Sequence, residues 1–330
     1  MRSRMRVMVT GGAGFLGSHV CEALLARGHR VCSLDDFFRG KRVNLDGCRG
    51  MPDFFVARGD CTELKVLESA EQQLGGVDVI LHLAAINGTR WFHERPDLVI
   101  RVNIDGTRAA TDFAISRGAR LVFTSSPEAF GEQNQMPLQE DSDSVFPNAR
   151  EHQRHSYGAS KYLGEILVQH GIRDQGLDAR IVRPFNAYGP RLPGDDYGQV
   201  VSIFLTQCLK ELPITLHGDG SQTRSFTYVE DVVEALVAAS ELDEGLDESR
   251  LSGASFNISS GEEVTIRELA ELVLEVSGSS SEIVSGAGHP GDSVRRTADV
   301  SAAESALGWK PTVDLRSGLE RTWGWLQEGV

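Results

Sequence analysis

The sequence lacks an excess of basic residues. Its 330 residues include 33 Lys and Arg against 47 Asp and Glu, which gives a formal net charge of −14. Affinity for a nucleic-acid backbone depends on neutralising phosphates with cationic side chains, so this balance argues against a nucleic-acid partner. An anionic small molecule must instead be bound by a local group of arginines or by helix N-termini.

Long apolar runs and cysteine pairs are also missing. No apolar run reaches the roughly 18 residues that span a bilayer, and four glycines interrupt the arginine-rich start where a signal peptide would be continuously apolar. The five cysteines are scattered, without a C-x-x-C pair. We therefore expect no disulfide framework, no metal site and no membrane partner, and we expect a cytoplasmic protein.

The first half of the chain alternates two kinds of pattern. Apolar, β-branched runs predict strands, and 3.6-residue periodicity between them predicts helices. The predicted strands are 6–10, 30–35, 54–57, 77–83, 120–125 and 179–183, and the predicted helices are 15–27, 62–74, 96–117 and 157–171. Since the strands are apolar on both faces, the order predicts an α/β fold with a doubly wound parallel (Rossmann) sheet.

The second half of the chain has a different character. Glycine, proline and acidic residues interrupt it, and its predicted helices are shorter. We predict a smaller, mixed α/β C-terminal domain over residues 185–330, and a first domain over residues 1–178 to which a strand at 179–184 returns. The two domains are expected to interleave.

A glycine-rich loop follows the first predicted strand directly. Gly11, Gly14 and Gly17 form the pattern G-x-x-G-x-x-G at the start of a helix. These glycines allow a tight turn, bring backbone N–H groups to a pyrophosphate and let the helix pack closely on the strand. Asp35 ends the second strand, where a carboxylate accepts hydrogen bonds from ribose hydroxyls and repels a 2′-phosphate. The pattern predicts a dinucleotide site for NAD rather than NADP.

Tyr157 and Lys161 are four residues apart and share one face of a predicted helix. A free phenol has a pKa near 10, so ionising it at pH 7 requires roughly 4 kcal/mol of stabilisation. The Lys161 ammonium and an oxidised nicotinamide are two cations that supply it. A phenolate then accepts a proton from a sugar hydroxyl while hydride leaves the same carbon. Ser126, at the end of the fifth strand, is placed to hydrogen-bond the reacting oxygen.

Together these motifs resemble the extended short-chain dehydrogenase/reductase family, specifically its nucleotide-sugar epimerases, dehydratases and decarboxylases. The resemblance covers nearly the whole chain. The sequence motifs on which it rests are VTGGAGFLGSH, HLAA, VNIDGT, TSSPEAFGE, YGASK, RPFNAYGPR and HGDGSQTRSFTYVEDVV. It implies that the first domain binds NAD, that the second binds a nucleotide sugar, and that the protein is a homodimer.

The resemblance, together with the motifs above, predicts the site residues. The predicted NAD contacts are Gly11, Gly14, Phe15, Leu16, Gly17, Asp35, Asp60, Cys61, Leu83, Ala84, Ala85, Asn103, Ser125, Tyr157, Lys161 and Pro184. The predicted catalytic residues are Ser126, Tyr157, Lys161 and Glu128. The predicted substrate contacts are Asn87, Ser126, Arg154, Asn186, Val200, Arg224, Arg295 and Arg296. Of these, Arg224, Arg295 and Arg296 suit a diphosphate, and Arg154 suits a sugar carboxylate.

The residues after Ser126 bear on the choice of reaction. Dehydratases of this family carry an Asp-Glu pair there, whereas this chain has Pro127 and Glu128, and proline has no acid to donate. UDP-glucuronate decarboxylases resemble this site in Glu128 and in Arg154, three residues before the tyrosine. We predict 4-epimerisation of a nucleotide hexose, with UDP favoured, through a transient 4-keto intermediate. UDP-glucuronate decarboxylation is the alternative; a 4,6-dehydratase, a 4-ketoreductase and a non-catalytic NAD-binding protein rank below it.

Overall fold

The computed structural model describes residues 4–150, 154–195, 198–286 and 293–329. Its strands are β1 (Arg6–Thr10), β2 (Arg30–Asp35), β3 (Phe54–Arg58), β4 (Val79–His82), β5 (Arg120–Thr124), β6 (Ala179–Pro184), β7 (Ala187–Tyr188), β8 (Ile214–His217), β9 (Thr223–Ser225), β10 (Thr227–Tyr228), β11 (Ser255–Ile258), β12 (Glu263–Thr265), β13 (Ile283–Gly286) and β14 (Arg295–Arg296). Its helices are α1 (Phe15–Ala26), α2 (Leu64–Leu74), α3 (Thr89–Glu94), α4 (Pro96–Arg117), α5 (Ser156–Gln175), α6 (Val200–Leu209), α7 (Val229–Glu241), α8 (Ile266–Ser277), α9 (Ser301–Leu307) and α10 (Leu315–Glu328). Short 3₁₀ helices occupy Arg42–Cys48 and Pro127–Phe130.

Seven strands form one sheet in the order β11-β6-β5-β4-β1-β2-β3, and every neighbouring pair is parallel. The strands are buried on both faces because helices cover both. In β1, Val7 and Val9 pack into one apolar core while Met8 packs into the other. The predicted doubly wound α/β fold is thereby confirmed. Among the described residues, no helix has the length and hydropathy that a membrane span requires.

Helix α5 extends beyond its predicted end. The sequence placed that end at Gly171, but this glycine is buried inside the helix, where a Cβ would lie 3.1 Å from the Leu177 side chain. The helix continues to Gln175 and is terminated by Gly176, whose φ of 69° is the left-handed conformation that ends many helices. Gly171 therefore serves close packing rather than termination.

The segments after β6 build a smaller mixed α/β region. It contains the parallel pair β7 and β10, the three-stranded sheet of β12, β9 and β14, and the pair β8 and β13. Strand β11 returns to the edge of the large sheet beside β6, and α7 packs against α1. The second half therefore contributes to both parts of the fold. The predicted division near residue 178 stays a prediction, as does the homodimer.

Strands β1 and β4 lie side by side at the centre of the large sheet. The chain leaves β1 toward β2 and β3 on one side, and β4 is followed by β5 and β6 on the other side. The loops that follow β1 and β4 therefore diverge. Such a switch point leaves a crevice at the carboxyl ends of the strands, where open α/β sheets bind ligands.

Candidate active site

A cleft of about 1090 Å³ opens at these carboxyl ends, between the large sheet and the second half of the chain. It contains most of the residues that the sequence predicted. Those lining it are Gly11, Gly14, Phe15, Leu16, Gly17, Asp35, Asp60, Cys61, Leu83, Ala84, Ala85, Asn87, Ser125, Ser126, Glu128, Arg154, Tyr157, Lys161, Pro184, Asn186, Val200 and Arg224. Asn103, Arg295 and Arg296 do not line it.

The glycine loop at the floor of the cleft has no room for side chains. At Gly11, which has a φ of 69°, a Cβ would lie 2.8 Å from the backbone nitrogen of Ala84. At Gly17 a Cβ would lie 2.1 Å from the carbonyl oxygen of Gly11. Helix α1 begins here without a side-chain cap or an acidic residue in its first turn. The first turn of α1 therefore offers its backbone amides to an anion, as a dinucleotide pyrophosphate requires.

Asp35 is buried at the end of β2 and lines the same cleft. Its two carboxylate oxygens accept hydrogen bonds from the backbone nitrogens of Ala13 at 2.9 Å and Phe37 at 2.8 Å. Burial raises the pKa of Asp35 above its ordinary value, against the opposing effect of these hydrogen bonds. Each carboxylate oxygen has a further lone pair, so the side chain retains acceptors for ribose hydroxyls.

Helix α5 lies unusually close to the end of β5. A Cβ at Gly158 would lie 2.2 Å from the carbonyl oxygen of Glu128, and a Cβ at Gly164 would lie 2.7 Å from the Phe123 ring. The two glycines thus let the helix approach the strand. This approach carries Tyr157, which directly precedes Gly158 in the first turn, to the residues that follow β5.

Tyr157 and Lys161 are buried side by side on that helix. The Tyr157 ring stacks on Phe92 with a centroid distance of 5.0 Å. The Lys161 Nζ donates a hydrogen bond to the Thr124 carbonyl oxygen at 2.8 Å and lies 5.8 Å from the centroid of the Tyr157 ring. The ammonium is therefore fixed beside the phenol, as the sequence predicted.

Burial acts on the pKa of both side chains. It raises the pKa of Tyr157 well above its ordinary value; the Ser126 hydroxyl lowers this pKa and the Glu128 charge raises it. Burial lowers the pKa of Lys161 to about 7, while the Glu165 charge raises it. Without a bound cation the phenol thus stays protonated. A positively charged nicotinamide supplies the missing stabilisation of the phenolate when NAD is bound.

Ser126 and Glu128 begin the short 3₁₀ helix after β5. The Ser126 Oγ accepts a hydrogen bond from the Glu128 backbone nitrogen at 3.3 Å. The Glu128 carboxylate bonds Arg296 and lies 3.5 Å from Arg154. Burial alone would raise the pKa of Glu128. The charges of Arg296, Arg154 and Arg224 outweigh burial and lower this pKa to about 2.

The three predicted residues outside the cleft have different surroundings. Asn103 lies beneath it, where its Oδ1 accepts from the Ile86 backbone nitrogen at 2.8 Å. Arg296 is buried behind Glu128. Arg295 is exposed, and it forms a two-pronged ion pair with Glu263 at 2.7 and 2.8 Å. The structure therefore brings Arg296, but not Arg295, to the site.

Two predicted substrate contacts belong to the second half of the chain. The Asn186 Nδ2 donates to the Ser225 carbonyl oxygen at 2.7 Å, and its backbone has a left-handed φ of 40°, which asparagine tolerates better than most residues. Arg224 is buried in β9, and its Nη1 donates to the Thr223 carbonyl oxygen at 2.7 Å. Both side chains are thereby tied to the backbone at the wall of the cleft.

Sequence reasoning missed a buried pair next to the tyrosine and lysine. Glu165 and Arg183 form a two-pronged ion pair, with Nε to Oε1 at 2.8 Å and Nη2 to Oε2 at 2.7 Å. The missed signal was spacing, because Glu165 follows Lys161 by one more helical turn. Arg183 gave no signal in the sequence, since it stands in an apolar strand.

Comparisons with known proteins identify the family of this chain. The NAD dependent epimerase/dehydratase family matches residues 7–258. The chain is 38% identical over 321 residues to UDP-glucuronic acid decarboxylase 1 of Arabidopsis thaliana, covering 97% of this chain and 69% of that protein. It is 35% identical over 336 residues to UDP-N-acetyl-alpha-D-glucosaminuronate decarboxylase of Bacillus cytotoxicus, covering 98% of each.

A solved structure adds a ligand-bound neighbour. The UDP-glucuronic acid 4-epimerase of Bacillus cereus, in complex with UDP-glucuronic acid and NAD, matches with a TM-score of 0.86 and 28% identity, over 99% of this chain and 100% of that one. The predicted fold family and the predicted cofactor, NAD, are thereby confirmed. The chain belongs to the NAD dependent epimerase/dehydratase family.

Proposed function

We propose that the protein decarboxylates a UDP-uronic acid, UDP-glucuronate being the first substrate to test. This is the alternative rather than the main prediction from the sequence. The observation that carries the proposal is the position of Glu128 among Arg296, Arg154 and Arg224, beside Ser126 and Tyr157. The curated relatives described above, which are decarboxylases of UDP-uronic acids, support it.

The charge of the cleft suits a substrate with two anionic parts. Arg154, Arg224 and Arg296 all act on one carboxylate, that of Glu128, in a chain with a net charge of −14. Guanidinium groups bind phosphate and carboxylate oxygens in two-pronged geometry. A UDP-uronate offers a diphosphate and a C6 carboxylate to such a group, whereas a neutral hexose offers only the diphosphate.

The reaction is oxidation at C4 followed by loss of C6. NAD, when bound, would supply the acceptor of the C4 hydride and, at the end, the hydride that reduces the C4 ketone. Tyr157 accepts the proton of the C4 hydroxyl, with Ser126 hydrogen-bonded to the same oxygen. The C4 ketone then stands β to the C6 carboxylate, so the C5–C6 bond breaks, carbon dioxide leaves and its electron pair passes into an enolate at C4. A proton from solvent adds to C5. When the C4 ketone is reduced, Tyr157 returns its proton to the C4 oxygen, which completes the balance.

Glu128 takes an electrostatic role in this scheme. Because its pKa is held at about 2, the side chain is ionised throughout the neutral range and does not deliver the proton to C5. Its carboxylate instead aligns the guanidinium of Arg296, which it bonds, and that of Arg154. Arg154, which lines the cleft, then fixes the substrate carboxylate for cleavage of the C5–C6 bond, while Arg296 holds Glu128 from behind.

The second candidate is 4-epimerisation, the main prediction from the sequence, and the likeness to a UDP-glucuronic acid 4-epimerase favours it. Both reactions begin with oxidation at C4, so this step does not distinguish them. An epimerase returns hydride to the opposite face of an intact 4-keto sugar. It releases no carbon dioxide and incorporates no solvent hydrogen at carbon.

The deciding experiment is incubation with UDP-glucuronate in heavy water, with the products identified by NMR. We expect carbon dioxide and a UDP-pentose that carries one deuterium at C5. A pair of C4 epimers without deuterium at carbon would replace the decarboxylase proposal by the epimerase.

Arginine variants test the carboxylate site. Arg154→Ala and Arg296→Ala each leave buried charge uncompensated, which costs several kcal/mol, and are expected to lower kcat/KM about a hundredfold or more. Arg316→Ala, which removes an exposed arginine paired with the exposed Glu275, is the matched control and should leave kcat/KM unchanged. Decarboxylation at the normal rate by the folded Arg154→Ala variant would contradict the assignment.

A further inference from the structure

Three consecutive turns of α5 face three consecutive residues at the end of β5. Tyr157, Lys161 and Glu165 are spaced four residues apart, so they form one ridge of the helix. The Ser126 hydroxyl acts on the Tyr157 phenol, and the Lys161 Nζ donates to the Thr124 carbonyl oxygen at 2.8 Å. The Ser125 Oγ donates to the Glu165 Oε1 at 2.5 Å. The tyrosine and lysine thus have a third, acidic neighbour on the same ridge.

Arg183 on β6 forms an ion pair with that carboxylate. Its guanidinium donates two hydrogen bonds to Glu165, at 2.8 and 2.7 Å, and a third to the Glu140 carbonyl oxygen at 2.9 Å. Glu165 is 9% exposed and Arg183 5% exposed. A buried carboxylate is stable as an anion only with such pairing. The carboxylate of Glu165 is therefore held in a fixed position by Arg183 and Ser125.

We propose that Glu165 is a positioning residue of the Tyr157–Lys161 pair, whose carboxylate, anchored by Ser125 and Arg183, keeps the buried Lys161 side chain charged beside the phenol. Lys161 is 3% exposed, and its own hydrogen bond is to a neutral carbonyl oxygen. Burial favours the neutral amine. One helical turn away, Glu165 offsets that cost without touching the substrate. The inference depends on the roles proposed above for Tyr157 and Lys161.

The other charged groups around Lys161 do not replace Glu165. On β4, His82 is fully buried and its pKa is lowered to about 3 by burial and by the Lys161 charge, so it is neutral. Glu128, after β5, acts on the Tyr157 phenol. Arg183 on β6 carries a positive charge, which opposes that of Lys161. Glu165 is the charge that raises the pKa of Lys161.

The test measures the pKa of Lys161 directly and needs no sugar substrate. The sequence has five lysines, so ¹³C-labelled lysine side chains give few NMR signals, and Lys161→Arg identifies the signal of Lys161. The NAD-bound protein as purified is titrated with pH. Removing one nearby negative charge lowers the pKa of an ammonium by about one pH unit. We expect Glu165→Gln to lower the midpoint of the Lys161 titration, which is its pKa, by that amount.

Two variants control for structural damage. Glu165→Asp keeps the charge and should keep the wild-type midpoint. Glu140→Gln removes a partly buried carboxylate that accepts from the Asn257 backbone nitrogen, and it should leave the midpoint unchanged. If Glu165→Gln does not fold, Glu165→Gln combined with Arg183→Gln leaves no unpaired charge. It too should lower the midpoint, but by less, because the loss of the Arg183 charge raises the pKa of Lys161. A folded variant without Glu165 whose Lys161 midpoint equals that of the wild type would overturn the proposal.

A kinetic readout separates this inference from the proposed function. Once the substrate is identified, the pH–rate profile of Glu165→Gln should shift as a whole toward lower pH, since both macroscopic pKa values of a coupled pair fall when a neighbouring anion is removed. Loss of rate at every pH with an unmoved profile would mean a merely structural role. The result of the NMR titration does not depend on whether the substrate is a UDP-uronate.

Discussion

Thr10 and His82 are bonded across the centre of the sheet, with the Thr10 Oγ1 and the His82 Nδ1 2.8 Å apart. They end the neighbouring strands β1 and β4, whose register pairs them directly. On the other side of the ring, the Thr107 Oγ1 donates to the Asn103 carbonyl oxygen at 2.7 Å and lies 3.4 Å from the His82 Nε2. The Thr107 oxygen therefore accepts from Nε2, which carries the proton of the neutral ring, and the Thr10 hydroxyl donates to Nδ1. The switch point under the cofactor loop is thus held by an uncharged histidine.

This histidine makes the stability of the fold pH-dependent. Burial lowers the pKa of His82 to about 3, against an ordinary value of 6.5. Between these values the unfolded state binds the proton and the folded state does not, so the free energy of unfolding falls as the pH falls. We expect His82 to contribute a loss of about 2 kcal/mol between pH 7.5 and pH 5. Urea denaturation at several pH values measures it.

The variant His82→Gln removes this titration. It should be less stable than the wild type at pH 7.5, and the difference should shrink by about 2 kcal/mol at pH 5. Parallel pH dependences for the two proteins would show that His82 is not the group responsible.

Tyr157→Phe removes the ionisable oxygen and keeps the ring that stacks on Phe92. Turnover should fall by about 10²–10⁴-fold, the usual contribution of a general acid–base group, while bound NAD remains in the purified protein. Tyr162→Phe, a change at a partly exposed position on the same helix, is the control and should retain full activity. Near-normal turnover of the folded Tyr157→Phe variant would remove this residue from the mechanism.

Asp35→Asn tests the choice of cofactor. The amide keeps the shape of the side chain but loses the charge that repels a 2′-phosphate. We expect the ratio of the NADP and NAD dissociation constants, measured by calorimetry after removal of bound cofactor, to decrease at least tenfold. Asp46→Asn, a substitution at an exposed aspartate, should leave that ratio unchanged. A wild-type protein that binds NADP more tightly than NAD would contradict the role of Asp35.

Two glycine-to-alanine changes distinguish a glycine that close packing requires from a glycine that only lowers the stability of its helix. At Gly17 a Cβ would lie 2.1 Å from the Gly11 carbonyl oxygen, whereas at Gly324, in the interior of α10, it would meet no atom within 4 Å. We expect Gly17→Ala to lose NAD and stability. Gly324→Ala should gain about 1 kcal/mol, because alanine is the better helix former. Thermal denaturation and NAD content measure both, and equal effects would contradict this account of the loop.

The large sheet was predictable because its information is local. Each buried strand is a short apolar run, and the loop Gly11–Gly17 stands directly between a strand and a helix, so its meaning did not depend on distant residues. The same holds for Tyr157 and Lys161, which one helix brings together. The end of α5 was misplaced because a glycine that packs, Gly171, and a glycine that caps, Gly176, look alike in the sequence.

The substrate side was less predictable because its side chains meet across long separations in the chain. Arg295 and Arg296 are adjacent in β14, and alternation along a strand sends them to opposite sides. One pairs with Glu263 at the surface and the other is buried against Glu128. From the sequence, both arginines were predicted to bind the diphosphate, because two adjacent residues of the same type cannot be told apart without their tertiary contacts.

The sequence by itself determined the fold class, the NAD site and the tyrosine–lysine pair, since each depends on spacing within one or two adjacent elements. Only the tertiary structure decided which arginines reach Glu128, and that Glu165 is joined to Arg183 next to Lys161. The physical reason is electrostatic. The pKa values of Glu128 and Lys161 depend on burial and on charges a few ångströms away, and those distances exist only after distant segments have packed together.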